Sequence, residues 1–65
     1  MWVYTMTGWQ DLDAELHDQG WSMQALHSHG EWHVFFGNVA YLPAAGKANT
    51  LQEAVEIAYT KIKER

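Results

Sequence analysis

Residues 21–38, WSMQALHSHG followed by EWHVFFGN, constrain this chain most, because they read as a β-hairpin with two unlike faces. His29-Gly30 supplies the turn, flanked by Ser28 and Glu31. A tight turn needs a residue that tolerates positive φ, and Gly30 does so without steric cost. That register sets His27 opposite Trp32, Leu26 opposite His33, Ala25 opposite Val34 and Met23 opposite Phe36. Side chains alternate faces along a strand. Trp21, Met23, Ala25 and His27 therefore share a face with Trp32, Val34 and Phe36, and this apolar face is expected to be the core side. The opposite face carries Ser22, Gln24, Leu26 and Ser28 with Glu31, His33 and Phe35, the mixed surface of an antiparallel sheet less protected on one side. A slip of one residue would turn every core aromatic toward water, so the register is firmly specified.

The rest of the chain reads as material laid over the hairpin. At 65 residues it is one domain, spanning residues 1–65. A domain this small buries only about 60% of the surface its unfolded form exposes, so its core must be rich in large side chains. Four Trp, three Tyr and two Phe supply them. With no Cys, neither a disulfide nor a zinc–thiolate site can hold the fold together. Packing must do so, with self-association as a further source of stability.

Residues 1–6, MWVYTM, read as an aromatic N-terminal arm or an edge strand. Thr7-Gly8-Trp9-Gln10 fits a capping box, and a helix is expected to follow as far as Gln19. Trp9, Leu12 and Leu16 form its apolar stripe, Asp11, Asp13, Glu15 and Asp18 its other sides, and Gly20 its stop. Beyond Phe36, Gly37-Asn38 fits a turn or bulge, residues 39–42 look strand-like, and residues 43–46 are expected to interrupt regular structure. A third strand is expected between Val39 and Ala48, with Pro43 favouring an edge position. Thr50-Leu51-Gln52-Glu53 is a second capping box, opening a helix that runs to the C-terminus. Leu51, Ala54, Val55, Ala58 and Ile62 fall on one stripe of it. Ala54 and Ala58 are small enough to let it approach the Trp-rich face closely. Ile57 points away from the stripe and Tyr59 sits at its margin. The expected class is α+β: a small antiparallel sheet in the order helix, strand, strand, third strand, helix. Both helices should pack on the face carrying Trp21, Met23, Trp32, Val34 and Phe36.

No motif for catalysis, cofactor binding or metal binding stands out. His27, His29 and His33 are close in sequence, but the register sends His27 to the core side, His33 to the other and His29 into the turn. Three ligands cannot readily converge from there, and no Cys completes the set. The plainer reading packs His27 beside Trp32. Asp11, Asp13, Glu15 and Asp18 suit a solvated helix face; acid–base work needs carboxylates in a dry cleft with separated pKa values. No Ser, Cys or Thr has a nucleophile context, and the glycines are scattered, with no phosphate-cradling loop among them. The expectation is a protein that is not an enzyme and carries no cofactor.

A formal charge of −4 argues against a large phosphate-binding surface. Lys61, Lys63 and Arg65 suit a helix C-terminus, where cations complement the macrodipole. No apolar run approaches the roughly 20 residues of a membrane span, and no signal-peptide pattern opens the chain. The expected location is the bacterial cytoplasm, without membrane association.

The order of three pieces resembles the phage ABA sandwich domain, a small domain of phage and prophage proteins. A helix ends in Gln19-Gly20-Trp21-Ser22-Met23. The hairpin carries Gly30-Glu31-Trp32-His33-Val34-Phe35-Phe36. Ala48-Asn49-Thr50-Leu51-Gln52-Glu53-Ala54 announces the last helix. The likeness covers most of the chain from Leu12 onward, and departs from it between Asn38 and Lys47 and in the aromatic arm. It implies helix–sheet–helix layering and a phage origin, and it brings no catalytic or ligand residues with it.

Two helices on one sheet face would leave an apolar strip on the other. Leu26, His33, Phe35, Tyr41 and Ile57 are therefore the candidate interface residues, to be buried in a homodimer or against a partner protein. The expected function is a non-catalytic protein-binding module that occupies a surface on a host, defence or phage protein, as a host-defence inhibitor would. The alternative is a nucleic-acid binder, or an acidic mimic whose Asp11, Asp13, Glu15 and Asp18 imitate a phosphate backbone.

Overall fold

A computed structural model describes residues 8–64. The element order is α1 (Trp9–Asp18), β1 (Ser22–Ser28), β2 (Glu31–Asn38), β3 (Tyr41–Ala48) and α2 (Leu51–Lys63). This is the α+β arrangement expected from the sequence, with an antiparallel sheet in the order β1-β2-β3. The arm at residues 1–6, Thr7 and Arg65 lie outside the described residues.

The hairpin has the expected register, from Ser22 opposite Gly37 to Ser28 opposite Glu31. His29 and Gly30 both take positive φ, 54° and 77°. Two consecutive positive φ values define the turn whose twist matches that of the flanking strands. Trp21, Val34 and Phe36 are buried on one face, with Met23 and Trp32 packed against them. Ala25 and His27 share that face but remain exposed. The core was expected to run along all of β1, and it stops short because α1 covers only the Trp21 end. His27 stacks on Trp32 as expected, ring centroids 4.7 Å apart.

The end of α1 explains the Gly-Trp pair. Gly20, at φ 93°, turns the chain. Its N–H donates to His17 O at 3.0 Å, and the Trp21 N–H donates to Leu16 O at 2.9 Å. These are the paired bonds of a Schellman stop, whose usual apolar contact is supplied here by buried Leu16 and Trp21. The start of α1 departs from expectation: its N-cap is Gly8, with no capping side chain of its own. Gln52 of α2 accepts from the Trp9 N–H at 2.8 Å instead. An orphan helix donor is thus satisfied by the other helix.

β3 corrects the reading of residues 39–46. Val39 and Ala40 form the turn, and Pro43, Ala44, Ala45 and Gly46 lie within the strand. Proline is tolerated because β3 is an edge strand, where a missing N–H removes no ladder bond. A bulge between the Phe36–Ala44 and Asn38–Tyr41 pairs places the extra residue on β3. Ala44, Gly46 and Ala48 alternate toward α2. A Cβ on Gly46 would lie 2.1 Å from Ala54 O and 2.9 Å from Ala58 N, so only glycine permits this approach. The small Ala54 and Ala58 therefore serve contact with β3 rather than room for tryptophans.

α2 starts as expected, with Thr50 Oγ1 accepting from the Glu53 N–H at 3.2 Å. Ala54, Val55, Ala58 and Ile62 are buried along its inner stripe. Leu12 and Leu16 of α1 join them in one core with Trp21, Val34, Phe36 and Ala44. Both helices thus lie on one face of the sheet, where the resemblance to the phage domain implies one on each side. Leu12, Leu16, Val55 and Ile62 all need the same aromatic floor, and the opposite face offers no comparable apolar area.

Candidate functional site

The face of the sheet turned from the helices carries Ser22, Gln24, Leu26 and Ser28 from β1, Glu31, His33, Phe35 and Gly37 from β2, and Pro43, Ala45 and Lys47 from β3. The registers align Leu26, His33 and Lys47 in one row across the strands, and Gln24, Phe35 and Ala45 in the next. Leu26 and Phe35 are diagonal neighbours, within reach of each other's side chains. Leu26 is 59% exposed and Phe35 45%. Phe35 stands between two shallow grooves. One is lined by Ser22, Gln24, Gly37 and Pro43, the other by His33, Ala45, Lys47 and Lys61.

Three of the five candidate interface residues, Leu26, His33 and Phe35, come together here. Tyr41 does not join them. Its ring stacks on Trp21 at 5.7 Å and 14°, on the helix side. The bulge in β3 alters the strand's alternation just there, and the sequence left the strand's register open. Ile57 is also elsewhere: it lines a groove between β3 and α2 with Ala48, Glu53 and Thr60. Lys61 was assigned only to a helix end. In the folded chain it reaches over the β3 edge and donates to Ala45 O at 2.8 Å, beside Phe35's groove. Helical periodicity places Lys61 beyond the buried stripe; only the packing of α2 on β3 shows which strand it meets. Val39 and Leu42, at the β2–β3 tip, are further exposed apolar side chains that the unplaced strand concealed.

Shifted ionisation occurs on the roof, away from this face. Glu15 accepts from Tyr59 Oη at 2.9 Å and pairs with Lys63 Nζ at 2.7 Å. The Lys63 hydrogen bond, then that of Tyr59, holds the Glu15 carboxyl below its ordinary value. Lys63 is raised by the same bond to Glu15. Tyr59 is raised by burial first and by Glu15 second. This cluster ties α1 to α2 at the surface, and solvent screens it. Among the described residues, no three His, Cys, Asp or Glu side chains gather closely enough to hold a metal ion. No helix among them is long and apolar enough to cross a membrane.

Comparison with family models, with curated proteins and with solved structures finds no match to this chain.

Proposed function

We propose that this protein is a non-catalytic protein-binding module of the kind phages and prophages encode. It would use the outer sheet face to occupy a surface on a host, defence or phage protein. The observation that carries the reading is the exposure of Leu26 and Phe35, adjacent on a face that neither helix covers. Apolar side chains grouped in this way, with a polar rim, are characteristic of interaction sites. Gln24, His33 and Lys47 supply such a rim. The phage origin draws only on the order of the Gly20-Trp21, Gly30-x-Trp32 and Ala48-x-Thr50 motifs. In this fold those positions stop a helix, turn a hairpin and cap a helix, so they speak for architecture rather than for a partner.

The test compares affinity capture from a bacterial host by the native chain and by Phe35→Ser, with each captured protein then titrated directly against both. A specific partner lost with Phe35→Ser, while circular dichroism and melting stay unchanged, supports the reading. Partners that bind both forms equally would defeat it.

One observation favours a second reading, nucleic-acid binding: Phe35 stands beside His33, Lys47 and Lys61. An exposed aromatic ring with cations alongside can stack a base of a single strand. Salt-dependent binding of a single-stranded oligonucleotide that Phe35→Ser abolishes would establish it over protein binding. The alternative of an acidic mimic draws on Asp11, Asp13 and Asp18 alone, since Glu15 is held by Tyr59 and Lys63.

A further inference from the structure

The two edges of the sheet are finished differently. In a hairpin closed by a two-residue turn, the flanking residues exchange both hydrogen bonds, and bonded pairs then alternate along the ladder. Ser28–Glu31 is such a flanking pair here. Ser22, Gln24, Leu26 and Ser28 therefore direct their backbone groups toward β2. Met23, Ala25 and His27 direct theirs outward. Among the described residues, no hydrogen bond reaches those outward groups.

Edge strands invite pairing unless proline, charge, a bulge or a covering side chain blunts them. β3 has all four: Pro43, Lys47, the bulge before Ala44 and the Lys61 ammonium on Ala45 O. β1 has none. Its sequence, SMQALHS, contains no proline, lysine or carboxylate, and its pairing with β2 runs without a bulge.

We infer that the open edge of β1 pairs with β1 of a second copy of this chain, antiparallel about Ala25. An isologous contact must be self-complementary, and this strand is. Antiparallel pairing centred on Ala25 sets Ala25 against itself, Met23 of one copy against His27 of the other, Gln24 against Leu26 and Ser22 against Ser28. The outward groups of Met23, Ala25 and His27 meet their counterparts in hydrogen-bonded pairs, and no like charges face each other. On the helix side, Met23 of one copy arrives beside the exposed His27–Trp32 stack of the other. On the outer side, Leu26 of each copy lies next to Gln24 of the other, with that copy's Phe35 one strand further along the same row, so the two strips lie on one continuous surface. A longer or charged foreign strand would make the same backbone bonds without this side-chain match.

The inference concerns the edge and stands apart from the outer-face reading. Sedimentation over a concentration series tests it, together with amide hydrogen exchange. The native chain is expected to dimerise at high micromolar concentration. The Met23, Ala25 and His27 amides should then exchange at least about tenfold more slowly than after dilution. Ala25→Lys and Ala25→Glu should each remain monomeric with unchanged circular dichroism. An equimolar mixture of the two should recover the dimer, because the two-fold axis brings position 25 against itself. A chain that stays monomeric, a dimer indifferent to Ala25→Lys, a mixture that fails to associate, or edge amides protected equally at every dilution would each overturn the inference. Phe35→Ser should keep the dimer while losing the outer-face partner, so the two readings fail separately.

Discussion

The β3 half of the sheet is roofed at backbone distance and the β1 half is scarcely roofed at all. α2 settles on Ala44, Gly46 and Ala48, and Gly46 lies so close to Ala54 that no side chain fits between them. α1 reaches only the Trp21 end of β1, leaving Ala25 and His27 exposed on the face meant for the core. Residue size therefore sets where α2 docks. A helix approaches most closely where a strand offers the smallest side chains, while Trp21, ahead of β1, and Phe36 of β2 fill the space beside it. The half that lacks a roof is also the one whose edge, among the described residues, is left unpaired.

The sharpest way to break this comparison is at Phe36 and Phe35, neighbours on opposite faces of β2. Phe36 is fully buried, so Phe36→Ala should cost about 3–5 kcal/mol. Phe35→Ala should change stability by only about 0.5 kcal/mol. Urea denaturation of both variants measures the contrast, and equal losses would mean the outer face is covered.

The next contrast is between glycines. Gly46→Ala drives a Cβ into the α2 backbone and should destabilise by about 1–3 kcal/mol. Gly37→Ala meets nothing within 4 Å and should be neutral to within about 0.5 kcal/mol. If thermal melts show Gly46→Ala to be harmless, α2 is not docked as closely as described.

Helix capping gives a smaller effect. Thr50→Ala removes the local cap of α2 and should cost about 1 kcal/mol. Gln52→Ala removes an acceptor that α2 lends to α1, with a loss of about 0.5–1.5 kcal/mol. Only the second should speed exchange of the Trp9 amide, which hydrogen-exchange NMR resolves.

The smallest effect is in pH dependence. Glu15 is lowered, so its contribution is present above the ordinary carboxylate value and lost as pH falls through the lowered one. Lys63 and Tyr59 are raised, so theirs are present below their ordinary values and lost as pH rises through the raised ones. Glu15→Gln should therefore flatten both limbs of the plot of melting temperature against pH, with a small loss near neutrality, where the contribution is present, and no change at the acid and alkaline extremes, where it is already lost.

Local signals in the sequence account for the hairpin register, the Gly20 stop and the Thr50 cap. Each is fixed within a few residues, by a positive-φ turn, a left-handed glycine or a side chain reaching one turn ahead. The candidate face was legible where those signals acted, at Leu26, His33 and Phe35. It was not legible at Tyr41 or Ile57, whose directions depend on a bulge and on where α2 docks. β3 itself resisted reading because its proline, alanines and glycine lack strand propensity; they suit an edge pressed against a helix.

Short-range patterns alone specify two capped or stopped helices, a hairpin of known register and an aromatic face that had to be buried. Alternation and helical periodicity act over a few residues, so they need no knowledge of the rest of the chain. Alternation already pointed both helices to one side, and proline's missing N–H pointed Pro43 to an edge; the folded chain alone reveals that Gln52 caps α1, that Lys61 covers the β3 edge, and that among the described residues nothing covers the edge of β1. Those outcomes join residues far apart in sequence, and close packing selects them through the room that Gly46, Ala54 and Ala58 leave.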